Sequence, residues 1–354
     1  MQQRRKNLLK FCNKIGCDTI VAFEPENLFY MTGFWGEAVG ILEKNGKTTI
    51  VSPELEVDRA KDESIDCKIV GAERGVGLIS SLIPKLKGKK VCTDSQNYSI
   101  VNSLKKSIKG IKQSTEPFYN ARIVKDTNEI SILKKASKTI DEMFELCTNK
   151  IKKGQRESEL QAILMSFAIE NEMFDTGYKS TLNPLIIASG PNGALPHAQV
   201  TKRKFSNGDM IVVDLTLRYK GYVSDATRTF GLGKVSEEAK TVYEIVKHSQ
   251  KLGLMAVKPN SLCKLVDEAC RKYIKSKKYG KYFIHSTGHG IGLEVHELPN
   301  ISVKSNTKLK KNMAITIEPG IYIPKKFGIR IEDSLIVQEK PMMLHKFSKD
   351  LIII

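Results

Sequence analysis

The stretch Ile211-Val212-Val213-Asp214-Leu215-Thr216, followed beyond Tyr219-Lys220-Gly221 by Val223-Ser224-Asp225-Ala226-Thr227, decides how the second half of the chain is read. Both arms are apolar and rich in β-branched residues, as in strands buried on a sheet. With the turn centred between Tyr219 and Lys220, Asp214 and Asp225 stand directly opposite, their Cβ atoms about 4.5–5.5 Å apart. Two carboxylates at that separation repel by roughly 3 kcal/mol at an effective dielectric near 20. Both stay ionised in an apolar strand pair only beside a compensating charge, which a divalent cation supplies. A register that turns one aspartate to solvent is the alternative.

A second acidic pair repeats the pattern. Glu318-Pro319-Gly320-Ile321-Tyr322-Ile323 returns as Ile329-Arg330-Ile331-Glu332 with Pro324–Gly328 as the loop, and Glu318 and Glu332 are equidistant from the centre of the hairpin. Acidic residues are depleted in strands, so two mirrored pairs are hard to attribute to a solvated surface. Between the hairpins, Ile284–Glu297 (IHSTGHGIGLEVHE) holds three of the chain's six histidines. Gly288, Gly290 and Gly292 at alternate positions point to a strand or loop in close approach to other backbone. They argue against a helix carrying His285 and His289 on one face. Carboxylates with one imidazole suit a dinuclear site for Mn, Co, Zn or Fe, and without paired thiolates a structural zinc is not expected.

The 354 residues suffice for two domains. Residues 1–120 alternate short apolar runs with amphipathic stretches, an α/β pattern. Strands are expected at Thr19–Phe23, Lys89–Thr93 and, around Asn45-Gly46, Val39–Leu42 with Thr48–Ser52; helices are expected at Ile79–Leu86 and Val101–Ile108. No Gly-x-Gly-x-x-Gly turn follows these strands, and Gly71 to Gly77 has the wrong spacing for a phosphate loop. Asp126 with Glu129 resembles a capping box opening a helix to about Lys150, so residues 121–354 form a second, α+β domain. The net charge of +18 is spread in short clusters with few aromatics interleaved, which points to a basic solvated surface rather than a nucleic-acid groove. Seven cysteines without a C-x-x-C pair read as reduced thiols in a cytoplasm. Lys10 and Lys14 interrupt any signal-peptide core, and no apolar run reaches membrane-spanning length.

Asp214, Asp225, His289, Glu318 and Glu332, in that order within VDL, SDATRTF, GHGIGLEVHE, TIEPGIY and RIEDS, resemble the ligand set of the pita-bread metallopeptidases. Among these the chain is most similar to the Xaa-Pro aminopeptidase and prolidase branch, and YMTGF at Tyr30–Phe34 extends the likeness into the leading domain. The resemblance implies a creatinase-type α/β domain followed by an α+β pita-bread catalytic domain holding two divalent metal ions. Asp225 and Glu332 would bridge, Asp214 would chelate one ion, and His289 and Glu318 would bind the other. It further implies that His197 and His296 contact the substrate or its tetrahedral intermediate, and that Glu318 passes a proton to the leaving proline nitrogen. His285 and Arg330 would lie beside the metal shell. A homodimer is implied, with Trp35 a contact at the partner's site rim; the alternative is that Trp35 is a core aromatic of its own domain.

The implied reaction is hydrolysis of the bond between an N-terminal residue and a following proline by a metal-activated hydroxide, with proline-containing peptides as substrates. Asn300 stands where dipeptide-specific prolidases carry an arginine for the substrate carboxylate. The expectation is therefore an aminopeptidase favouring Xaa-Pro-Yaa peptides, with an Xaa-Pro dipeptidase as the alternative. Retention of all five ligands disfavours a nonenzymatic binding protein on the same fold.

Overall fold

Alternation of apolar runs with amphipathic stretches over the first third of the chain produces a sheet flanked by helices. In the computed structural model, which describes residues 1–179 and 181–354, the chain divides into the units Met1–Arg122 and Ile123–Ile354. The first unit is built on six strands in the order Lys68–Ala72, Thr48–Pro53, Val39–Glu43, Thr19–Ala22, Val91–Thr93, Lys112–Gln113. Val39–Glu43 pairs antiparallel with both neighbours, and the other pairings are parallel. Gly46, at φ 85°, closes the hairpin expected at Asn45-Gly46. The helices Val76–Leu86 and Tyr98–Ser107 bury Leu82 and Leu104 against Val21, Ile41, Val51 and Val91. Trp35 is half-buried, its ring 5.5 Å from that of Phe29. Asp94, wholly buried, accepts from Phe23 N (2.7 Å), Glu24 N (3.3 Å) and Asn27 Nδ2 (2.9 Å). Burial outweighs these three donors and pushes its carboxyl up to about 7.

In the second unit Asp126 and Glu129 form a reciprocal capping box, and the helix runs Thr127–Lys150. One sheet joins Tyr222–Gly231 to Met210–Tyr219, which also pairs with Met173–Asp175 and Ile186–Ser189. A five-stranded sheet has the order Glu297–Ile301, Gly288–Gly290, Ala314–Ile317, Asp333–Ile336, Met342–Met343. The helices Glu237–Ala256 and Cys263–Ser276 cover it through Val242, Val246, Val266 and Cys270. Ile140, Phe144 and Leu164 pack on Ile211, Val213 and Phe230 of the other sheet. Among the described residues no helix is long and apolar enough to cross a membrane.

Both acidic hairpins form, one of them in a different register from that expected. Tyr219 pairs with Tyr222, leaving Lys220 (φ 46°) and Gly221 (φ 86°) as a two-residue turn. Positive φ at both turn positions matches the twist of the strands and favours glycine at the second, which moves the centre one residue along. Asp225 consequently faces Thr216, and Asp214 faces Thr227. The two aspartates are diagonal neighbours on one face instead of directly opposed.

The second hairpin keeps its mirrored count: Ile317 pairs with Asp333 and Gly320 with Arg330. The ladder breaks between these pairs, where Pro319 offers no N–H. Glu318 N instead donates to Thr287 O (2.8 Å) and Glu332 N to Thr227 O (3.1 Å). Both glutamates are thus anchored through their backbones to other segments.

Candidate metal centre

Period-two alternation places Asp214, Thr216 and Asp225 on one face of the first hairpin. Thr216 Oγ1 lies 2.8 Å from Asp225 Oδ1 and 3.4 Å from Asp214 Oδ1, linking the diagonal pair. His289 arrives on the strand Gly288–Gly290, where side chains would not fit: a Cβ on Gly288 would overlap Thr316 O, and one on Gly290 would overlap Leu298 O. The glycines therefore bring this backbone close to its neighbours, as their spacing suggests.

His289 Nδ1 is 3.0 Å from Gly290 O, a pure acceptor, so Nδ1 carries the proton and Nε2 presents a lone pair. That lone pair faces Glu318 Oε1 at 3.6 Å and Asp225 Oδ2 at 3.7 Å, oxygens that are themselves acceptors when ionised. Asp225, His289 and Glu332 are all buried and offer donor atoms within 4.8 Å of one another. Thr227 Oγ1 donates to Glu332 Oε2 (2.8 Å), while Glu332 Oε1 is buried without a hydrogen-bond partner.

The electrostatics follow from this crowding. Burial, then Asp214 and Glu318, pushes the Asp225 carboxyl well above the usual carboxylate range. Burial and Asp225 do the same to Glu332, and burial and Glu332 to Glu318. Burial, and then His296, lowers His289 to about 3, so its imidazole is neutral. A neutral nitrogen lone pair, an unpartnered carboxylate oxygen and mutually repelling carboxyls converge on one point. Divalent cations fit this donor set.

Ten of the sequence-predicted residues line a single cavity of about 280 Å³: His197, Asp214, Asp225, His285, His289, His296, Asn300, Glu318, Arg330 and Glu332. Trp35 belongs to the first unit. His197, His296 and Asn300 are exposed on the cavity wall, with the His296 ring 4.4 Å from that of His289 and 5.2 Å from that of Tyr178. Arg330, almost wholly buried, donates to Asp214 Oδ2, Thr227 Oγ1 (2.9 Å) and Tyr322 Oη (2.7 Å). Tyr322 Oη is also 3.0 Å from His285 Nε2, completing a chain from His285 to Asp214. Burial and Arg330 lower His285 to about 3.

Sequence reasoning missed Thr216, Thr227 and Tyr322. The two threonines were legible in principle, since each stands two residues beyond one of the paired aspartates and shares its face. Tyr322 carries no such signal.

Comparison with known proteins agrees with the site. Residues 131–339 match metallopeptidase family M24, and residues 4–124 match the creatinase/prolidase N-terminal domain. The chain is 36% identical to an Xaa-Pro dipeptidase of Pyrococcus furiosus over 96% of each chain. A prolidase of Pyrococcus horikoshii superposes with a TM-score of 0.89 at 33% identity, covering 99% of this chain and 100% of that one. An X-Pro aminopeptidase of Thermotoga maritima gives 0.87 at 28% identity, covering 99% of each. The architecture is a creatinase-type N-terminal domain ahead of a pita-bread catalytic domain. With a family model spanning more than half of the chain and relatives matched nearly end to end, the chain belongs to metallopeptidase family M24 and is a metal-dependent hydrolase.

Proposed function

We propose that the protein is an Xaa-Pro dipeptidase. The observation that carries the reading is the convergence of Asp214, Asp225, His289, Glu318 and Glu332 on one cavity that also presents His197 and His296. Two divalent cations held by those five residues would supply Lewis acidity and water ionised near neutral pH. His197 and His296, on the cavity wall, are suited to donate to the oxyanion that develops on the scissile carbonyl. Glu318, whose carboxyl is held well above its ordinary range, is suited to carry a proton to the leaving proline nitrogen. Arg330 steadies Asp214 from behind while Tyr322 holds Arg330 in place. Pro184, Leu185, Ile186 and Val295 give the cavity an apolar wall suited to a pyrrolidine ring.

The relatives named as dipeptidases favour this reading over the aminopeptidase preference that Asn300 suggests. Asn300 is exposed, so a substrate carboxylate beside it stays hydrated. A missing guanidinium there costs less than the 1.5–3 kcal/mol typical of charge-assisted bonds, because solvent screens the exposed pair. Comparison of kcat/KM for Ala-Pro and Ala-Pro-Ala in Mn, Co and Zn tests the reading. The dipeptide should be hydrolysed about tenfold better or more, a difference of about 1.4 kcal/mol in transition-state binding. A tenfold preference for the tripeptide would return the protein to the aminopeptidases.

A further inference from the structure

Lys125 and Glu297 are 172 residues apart in sequence and form an ion pair at 2.9 Å. Their side chains are 1% and 3% exposed. A pair so fully removed from water is costly to form, so its retention calls for a reason beyond stability. The surroundings of Glu297 supply one. Its Oε1 accepts from Leu293 N (2.8 Å) and Glu294 N (3.2 Å), so the carboxylate closes the preceding loop onto itself. Gly292 begins that loop because a Cβ there would lie 2.6 Å from both oxygens of Glu297. Val295 and His296, the two residues between these amides and Glu297, line the catalytic cavity. Lys125 is itself fixed, its N–H donating to Asn312 O (2.9 Å) next to the bridge between Val124 and Met313.

We infer that Glu297 is a positioning residue: its Oε1 sets the conformation of the 292–297 loop and thereby the place of His296 in the cavity, with Lys125 balancing its buried charge. Lys125 holds Oε2, which leaves Oε1 turned toward the two loop amides. Glu297 does not line the cavity, so it acts through His296. The catalytic part of the inference rests on the Xaa-Pro dipeptidase reading; the loop part does not.

Removing one partner alone would leave a buried charge and risk unfolding, so the test uses two charge-balanced double variants. Lys125→Met with Glu297→Gln removes both charges but keeps an oxygen for the loop amides. Lys125→Met with Glu297→Leu removes the oxygen as well. In the first, kcat for Ala-Pro should stay within about threefold of wild type. In the second it should fall by about 10- to 100-fold with KM little changed, the scale expected when a catalytic group is misplaced by about an ångström. Metal content by elemental analysis should match wild type in both. Amide hydrogen exchange at Leu293 and Glu294 should accelerate only in the leucine variant. Unchanged kcat and unchanged exchange in that variant, or a loss of kcat that tracks a loss of metal, would overturn the inference. A wild-type protein inactive on every Xaa-Pro peptide would instead overturn the dipeptidase reading, and the exchange rates alone would then decide the role of the loop.

Discussion

Replacing Asp225 by Asn should raise thermal stability without metal and lose most of that advantage with metal. Asp225 and Glu332 offer donor oxygens within 4.8 Å of each other in a buried site. Two unit charges at that distance repel by about 3.5 kcal/mol at an effective dielectric of 20. Without a cation, the amide removes that repulsion. For a unit the size of Ile123–Ile354 each kcal/mol corresponds to about 2–4 °C, so the metal-free variant should melt up to about 7–14 °C above metal-free wild type. Both carboxyls are held above their ordinary range in the fold. The protonated fold is therefore favoured at low pH, and metal-free wild type loses this stability as pH rises through the raised values. The gap between variant and wild type should accordingly widen toward pH 8. With metal at about a hundredfold excess over its dissociation constant, wild type should gain about 2.7 kcal/mol, and the variant, short of one ligand charge, much less. Scanning calorimetry of both proteins in EDTA and in manganese reads all four states. A metal-free variant no more stable than wild type, or an equal gain from manganese in both, would refute the reasoning.

Three other outcomes are expected. His197→Ala should lower kcat by about a hundredfold, as for a lost oxyanion donor, with metal content unchanged by elemental analysis; parallel loss of metal would place His197 among the ligands. Gly288→Ala drives a Cβ into Thr316 O and should cost about 1–3 kcal/mol in urea unfolding while weakening metal retention. A variant with wild-type stability would show that the strand has room to move. Asp94, raised to about 7 by burial, contributes stability that is complete below its unfolded value near 4 and lost as pH rises toward 7. Asp94→Asn should flatten that part of the stability-pH curve, and an unchanged slope would count against the buried carboxyl as its source.

The cavity's acidic residues and histidine were legible because carboxylates are unusual on buried strands, and unusual residues stand out at any register. Asp214 and Asp225 share one face as expected, but one step out of the expected alignment, because the turn takes positive φ at Lys220 and Gly221. Glu318 and Glu332 kept their mirrored count although the loop is shorter than Pro324–Gly328: Phe327 and Gly328 already pair with Ile323 and Tyr322, which centres the hairpin on Lys325. The support behind these residues was harder to read. The partnership of Tyr322 with His285 and Arg330 arises where separate segments meet, and Lys125 reaches Glu297 across most of the catalytic domain. The identity of Asn300 shows a missing charge, whereas its solvent exposure decides what that charge would be worth.

The interrupted hairpin at Glu318 and Glu332 separates length from position. Both carboxylates lie where the ladder opens, and their backbones are held by Thr287 and Thr227 rather than by the hairpin's own tip. Pro324, Lys325 and Lys326 at that tip are exposed, and Lys325 already sits at φ 62°. Residues inserted there leave the pairs from Ile323 with Phe327 onward unshifted. A single residue inserted between Ile317 and Gly320 would instead turn one arm over and carry a carboxylate to the wrong face. The tip at Lys325 is therefore a natural graft point, where a reporter domain can be spliced into the chain while Glu318 and Glu332 keep their places.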